Sequence, residues 1–264
     1  MQNSEFRMKG KISLRTVLKF CILYSAFFIS LFSGKTTAQD ASAPSDSTKH
    51  HKVLLIPYNP MMHLSDADND IAEYSGKDQE TLRKMFRMGL TQRINGKIFE
   101  VYDSQSLLTE YAKGNDDDLD MIYGSIGYSM ENVIPLKKDS VDSKGKKVKA
   151  KKEEKHDSTY MNVKLSHPEL LKALSEKYGA DLFVFINQFE IKTDYNDCIN
   201  FQLKIYEREI KVHFSVFDKY GKQLAGDVAV SLFPSNSNDP GEIMTGNFPS
   251  ISSYIANSLK QQNR

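Results

Sequence analysis

From residue 53 onward the chain alternates short apolar runs with stretches of helical period. Val53-Leu-Leu-Ile-Pro-Tyr58 is an apolar run closed by Pro57, the pattern of a buried strand. The polar residues Asn59 to Lys77 read as a loop. Leu82, Phe86, Leu90 and Ile94 then recur every four positions, with Met85 beside them. That spacing predicts an amphipathic helix from Gln79, preceded by Asp78 and ended at Asn95-Gly96. Ile98–Tyr102 reads as the next strand, and Asp103 or Ser104 as the cap of a short helix through Leu107, Leu108 and Tyr111. Met121–Pro135 fits a strand and a glycine-bent helix equally well.

The second half is better marked. Ser166, Pro168 and Glu169 form a helix start before Leu170, Leu171, Leu174 and Tyr178, and Gly179 stops the helix. Leu182–Ile186 is apolar without alternation, which predicts a strand covered on both faces. Phe201, Leu203 and Ile205 alternate with polar neighbours, as do Ile210, Val212, Phe214 and Val216 in the opposite phase. A bulge or turn is therefore expected across Tyr206–Glu209. Asp218–Gly221 reads as a turn, Val228, Val230 and Leu232 as core positions of a returning strand, and Ile251–Lys260 as a closing helix. This order predicts an α/β (α+β) fold: a single mixed β-sheet with helices packed against it, and an antiparallel meander in the C-terminal half. Residues 53–264 are expected to form one domain.

The N-terminus changes the picture. Arg7 to Lys19 is a basic stretch, and Phe20–Phe32 is an apolar run of 13 residues, the size of a signal-peptide core and short for a membrane span. Thr36 and Ala38 place small residues at the −3 and −1 positions of a cut before Gln39. Residues 1–38 are thus expected to be a signal peptide cleaved near Ala38/Gln39, which implies a periplasmic or secreted protein with no integral span after signal removal. Residues 39–52, small and polar with a proline, read as a tether.

The formal charge of +1 conceals an asymmetry. The first 38 residues hold six Lys/Arg against one acid, so the remainder carries 29 basic and 33 acidic residues, a net of −4. A neutral-to-acidic body argues against a nucleic-acid binder. Lys137–Asp157 departs from it, with nine lysines, five acids and almost no apolar residue. Such a segment cannot offset its ordering entropy, so a disordered insert at 137–157 is expected. Its net charge of +4 offers contact with an anionic surface through Lys137–Lys155. Once residues 1–38 are removed, Cys198 is the one cysteine left, excluding an internal disulfide.

Motifs for chemistry are few. Asp66-Ala-Asp68-Asn-Asp70 spaces three acids like the start of a calcium loop, with His63 close by. Position 6 is Ile71 instead of glycine, however, and position 12 is Lys77 instead of an acid. His63, Asp66, Asp68 and Asp70 are the candidate metal ligands. The other histidines lack zinc-site spacing, and His213 is expected on the less buried face of its strand. There is no G-x-S-x-G elbow, phosphate loop or dinucleotide fingerprint, and no cofactor is expected.

One resemblance rests on ordered short motifs. Val53–Tyr58, the helix over 79–94, Phe99-Glu-Val-Tyr-Asp103 with Ser104-Gln-Ser-Leu-Leu108, Leu174–Val184 and Val216-Phe-Asp-Lys-Tyr-Gly221 follow one another along most of residues 53–260. This order resembles the envelope αβ domains of the curli-secretion lipoprotein, of the lipoprotein activators of penicillin-binding proteins, and of the amino-terminal domain of the Tol-system β-propeller protein. The resemblance implies an adaptor that binds other envelope proteins and has no catalytic site. The chain departs from it in having no lipobox cysteine and no amphipathic hairpins of the pore-forming kind. The expected function is an exported bacterial envelope protein acting as a non-catalytic binding or scaffolding module, with an envelope protein as partner. Its binding surface is expected at the 59–77 loop and the 137–157 insert. Two other readings compete: a metal-assisted hydrolase using the His63/Asp66/Asp68/Asp70 loop, and a signal-anchored subunit of an inner-membrane complex.

Overall fold

A computed structural model describes residues 51–112, 117–134, 158–167 and 169–260. The expected signal peptide, most of the tether and the lysine-rich insert lie outside the described residues.

The centre is a mixed sheet ordered β3-β1-β6-β7-β8. Here β1 is Lys52–Ile56, β3 Asp103–Ser106, β6 Leu182–Asn200, β7 Ile205–Asp218 and β8 Gln223–Pro234. β1 runs parallel to both β3 and β6, whereas β6, β7 and β8 form the antiparallel meander. The short strand β2 (His63–Ser65) pairs parallel with Phe189–Ile191, extending the sheet beyond the end of β1. A separate antiparallel ribbon of β4 (Ile126–Asn132) and β5 (Thr159–Leu165) completes the strands. The α/β class and the meander read from the sequence are those of the structure.

Helices cover both faces. On one, α1 (Asp68–Ser75), α2 (Gln79–Phe99) and α6 (Pro240–Lys260) enclose a core built on Leu82, Phe86, Phe189, Val212, Phe214 and Ile255. On the other, α3 (Leu107–Ala112), α4 (Asp117–Ser125), α5 (Glu169–Tyr178) and β5 enclose Leu54, Leu119, Leu171, Phe183 and Phe185. All of Leu182–Ile186 is buried, with alternate residues serving the two cores, so the unbroken apolar run has its physical reason. The pairing of β6 with β7 then slips by one residue at Asn187. After the slip the odd-numbered Phe189 and Ile191, not the even positions, face α2 and α6.

Several boundaries differ from expectation. α2 does not end at Asn95-Gly96 but runs to Phe99. A helical glycine costs about 1 kcal/mol relative to alanine. Full burial of Ile98, the next member of the four-residue stripe, contributes roughly 1.5–3 kcal/mol and outweighs it. Ile98–Tyr102 is consequently no strand: the N–H groups of Val101 and Tyr102 both bond to the Ile98 carbonyl and close the helix. The chain turns into β3, and Ser106 rather than Asp103 or Ser104 takes the N–H of Leu108. α6 begins eleven residues before Ile251, with Pro240 at its start and Asp239 accepting from the N–H of Glu242 at 2.8 Å. It continues through Pro249 because Ile243 and Phe248 are buried against α2. Gly89 permits that approach, since a Cβ there would lie 2.7 Å from Met244 Sδ. Residues 121–132 form the end of α4 and strand β4, Ile134 makes an isolated bridge to Gly226, and Pro135 lies outside the described residues. Among the described residues no helix is long and apolar enough to cross a membrane.

Candidate functional site

The segment read as a polar loop at 59–77 is folded: a single 3-10 turn (Pro60–Met62), β2 and α1. β2 must lie on the sheet to extend β6, and this carries His63 inward, where only 5% of it is exposed. Its ring packs on Phe189 and Phe86, with centroids at 5.0 and 6.3 Å. Both ring nitrogens are engaged, Nε2 with Asp68 Oδ1 at 3.2 Å and Nδ1 with the Tyr58 hydroxyl at 3.3 Å. A carboxylate only accepts, so in the neutral ring Nε2–H donates to Asp68 and Nδ1 accepts a hydrogen bond from the Tyr58 hydroxyl. Asp68 starts α1, where the helix dipole favours an anion, and Arg83 Nε donates to its other oxygen at 2.8 Å. Burial pushes the Asp68 carboxyl up, but the bonds from His63 and Arg83 outweigh it and hold the group below the usual carboxylate range. Burial pushes the Tyr58 phenol far up.

Tyr58, His63 and Asp68 therefore form a hydrogen-bonded row with the look of a catalytic triad. Its chemistry is closed off: Tyr58 is 1% exposed, so no reacting group outside the core can reach its hydroxyl. Arg87 secures the same corner, donating from Nε to the Tyr58 carbonyl at 2.8 Å and from its terminal nitrogen to the Tyr123 hydroxyl at 2.7 Å.

The remaining candidate acids point elsewhere. Asp66 accepts from the N–H and hydroxyl of Thr193 on β6, at 2.9 and 3.1 Å. Asp70 pairs with Arg208 on β7. Arg208, buried, also reaches Thr193 Oγ1 at 3.2 Å and Asn238 Oδ1 at 2.8 Å. The four candidate ligands are thus divided between an inward pair and two clamps on the meander. Among the described residues no group of three or more His, Cys, Asp or Glu is placed to hold a metal ion.

A second polar seam lies beneath the β4–β5 ribbon. His213 is buried, not on a less buried face, because β5 lies over it: the Met161 N–H donates to its Nδ1 at 2.9 Å, and its Nε2 meets Glu190 at 3.1 Å. Asn187, the residue at the slip in β6, donates to the Met161 carbonyl and the Ser215 hydroxyl, both at 2.7 Å. The bond to His213 leads the causes that hold the Glu190 carboxyl low, against its burial. Gly226 of β8 admits the Tyr160 hydroxyl from β5, which would stand 2.0 Å from a Cβ. These residues attach the ribbon to the sheet.

What projects from this scaffold is the far end of β6 and β7. β2 leaves β6 at Ile191, and β8 leaves β7 at Glu207. Past those points the two strands pair through Cys198–Tyr206 and Asn200–Ile205, with residues 195–197 bulged out of register, and Tyr206 still exchanges bonds with Ser235, its carbonyl accepting from the Ser235 N–H at 2.8 Å and its N–H donating to Ser235 Oγ at 2.9 Å. The turn at 201–204 closes the arm, with Lys204 at φ 51°. Phe201 is 89% exposed, Leu203 and Tyr195 69% each, and Ile199 54%. Tyr195 and Tyr206 meet edge to face at 5.2 Å behind the tip. A cleft of about 270 Å³ between the turn and the base is lined by Asp70, Tyr195, Leu203, Tyr206 and Arg208 among others, but the Arg208 charge is already engaged by Asp70.

The sequence reading missed this arm by taking Phe201, Leu203 and Ile205 as an alternating half-buried strand. The available signal was the absence of charge from Cys198 to Leu203 beside the turn-forming Asn200. Cys198, the one cysteine among the described residues and half-buried, donates to the Ile205 carbonyl across the arm at 3.6 Å. Compared with protein-family models and with curated proteins, the chain matches none of them.

Proposed function

We propose that this chain is an exported bacterial envelope protein that works as a non-catalytic binding or scaffolding module, and that it docks through the β6–β7 arm. The observation carrying the reading is the exposed apolar tip of Ile199, Phe201 and Leu203 on a stem clamped at its base by Asp66 and Asp70. An apolar cluster on a rigid support gives binding its driving force without ordering a flexible loop first. The motif order shared with envelope adaptor domains, and the expected export signal, support the same reading. The docking surface shifts from the 59–77 segment, whose His63, Asp66, Asp68 and Asp70 are engaged within the fold, to the arm. A metal-assisted hydrolase would need His63, Asp66, Asp68 and Asp70 to converge, and their partners hold them apart.

The test is a photo-reactive side chain placed at Leu203, with a second at Tyr220 as control, in the full chain expressed in its native cell. Adducts with envelope components from position 203 alone, on a chain beginning at Gln39, are expected. A chain that keeps residues 1–38 and stays in the cytoplasm, or adducts from Tyr220 alone, would overturn the proposal.

A further inference from the structure

We infer that His213 is a proton-operated latch: a proton on its Nδ1 releases the Tyr160–Asn162 end of the β4–β5 ribbon from the sheet. The device lies outside the docking arm and does not depend on it.

Met161 of β5 offers both of its backbone groups to the sheet. Its N–H donates to His213 Nδ1 at 2.9 Å, and its carbonyl accepts from Asn187 Nδ2 at 2.7 Å. An imidazole nitrogen that accepts carries no hydrogen, so the ring is neutral and Nε2–H donates to Glu190 at 3.1 Å. A proton arriving at Nδ1 turns that acceptor into a donor and sets it against a backbone N–H, which has no acceptor face to turn. Nδ1 therefore holds either the proton or Met161, not both. His63 is the contrast. Its Nδ1 faces the Tyr58 hydroxyl, a group that can rotate and accept, so a proton there requires no strand to move.

The charges around the ring set the direction. Glu190 lies on β6, next to β7 in the sheet, so its carboxylate stays with the imidazolium whether the ribbon is docked or lifted. Lys192 and Lys211, which act on Glu190, and Asp227 on β8, which turns to Tyr254, also remain with the sheet. Glu131 and Tyr160 leave with the ribbon, but Glu131 takes its own counter-charge along, Lys164 at 3.6 Å. Met161 is the partner that distinguishes the docked ribbon from the lifted one, and the lifted state is the one that takes up the proton. Falling pH accordingly favours lifting.

The end that must move is held by exchangeable bonds. Farther along β5, Val163 and Leu165 are packed in the core with Leu119, Leu171 and Phe183. The Tyr160–Asn162 end instead uses Asn162 against Ser215 and Gln223, and Tyr160 against Gln223, all bonds that water can replace. Beneath it, Asn187 Oδ1 and Gln188 Oε1 are buried without a hydrogen-bond partner, so lifting hydrates two acceptors that the docked seam leaves unsatisfied. The buried Tyr160 ring, seated at Gly226, opposes lifting and keeps the ribbon docked while His213 is neutral.

The test follows amide hydrogen exchange of Met161 by NMR in the full chain from pH 7.5 to pH 5.5, corrected for intrinsic exchange, together with the ring nitrogen shifts of His213. Val184, fully buried and paired on both sides, is the control. At pH 7.5 Nε2 is expected to carry the hydrogen and Nδ1 none. Met161 opening is expected to rise by at least about tenfold over the range, within the limit of tenfold per pH unit that one linked proton allows, while Val184 stays protected. The rise should share its midpoint with protonation of the ring. His213→Asn, whose Oδ1 can accept from Met161 without titrating, should abolish it. A protonated Nδ1 at pH 7.5, an unresponsive Met161, or a midpoint apart from that of the ring overturns the latch in the wild-type chain alone. A rise that persists in His213→Asn overturns it as well.

Discussion

The corner between β2 and α1 turns its polar groups inward, whereas the end of the β6–β7 arm turns its apolar groups outward. At the corner, every polar group taken from water must find a partner or cost the fold its desolvation energy. Tyr58, His63, Asp68 and Arg83 accordingly form a continuous row of bonds. At the tip the balance differs, because Phe201 and Leu203 are exposed in the folded chain much as they are in the unfolded one. They contribute little to stability, so the fold does not explain their composition. Buried polarity at the corner holds the fold together, whereas the exposed apolar side chains of the tip do not.

The sharpest way to break the comparison is at the ring both halves of the corner lean on. Phe189 is fully buried and packs against Tyr58, His63 and Phe86 at centroid distances of 5.7, 5.0 and 5.8 Å. Phe189→Ala should lower unfolding stability by about 4 kcal/mol, through lost burial and the cavity left behind. Urea denaturation at neutral pH measures it. A loss below 1 kcal/mol would mean that the corner is not built on this stack.

Asp68 tests the polar half with a smaller effect. Its folded carboxyl lies below its unfolded value near 4, so it binds a proton less readily in the native state. Its contribution is therefore fully present above pH 4 and is lost as pH falls through the depressed folded value. Glu190, held low chiefly by His213, adds to the loss in the same window. Asp68→Asn should cost about 2 kcal/mol at pH 7, where charge-assisted bonds from His63 and Arg83 are weakened. Between pH 4 and pH 2.5 its melting temperature should fall less steeply than that of the wild type. Parallel pH profiles for the two chains would show that the carboxylate is not coupled to the row.

The two regions also mark where the sequence was legible. Leu82, Phe86, Leu90 and Ile94 announced α2 because a stripe of four-residue period has one structural solution, and Leu182–Ile186 announced a strand covered on both sides. His63 was visible as a candidate beside Asp68, but its burial was not, because it depends on β2 pairing with Phe189–Ile191, more than 120 residues away. Asp66 and Asp70 looked equivalent to Asp68 in spacing. Their separation comes from Thr193 and Arg208, which only the tertiary fold brings near. The tip was misread for a related reason: alternation of Phe201, Leu203 and Ile205 is the mark of a half-buried strand only when a neighbouring layer exists to bury it. Beyond β2 and β8 no described element supplies that layer.

The smallest expected effect is the one that sharpens the contrast most. If Phe201 and Leu203 face solvent in the native chain, Phe201→Ser with Leu203→Ser removes apolar area that folding never buried. Stability should then change by no more than about 0.5 kcal/mol, an effect typical of exposed positions away from caps and ion pairs. The Leu203 N–H would keep its bond to Asn200, because that bond uses the backbone and not the replaced side chain. The urea midpoint and slope should therefore match those of the wild type within error, while Phe189→Ala shifts the midpoint strongly. A loss above 1 kcal/mol at the tip would place Phe201 and Leu203 in the packed interior. The inversion between the inward polar corner and the outward apolar arm would then fail at the arm.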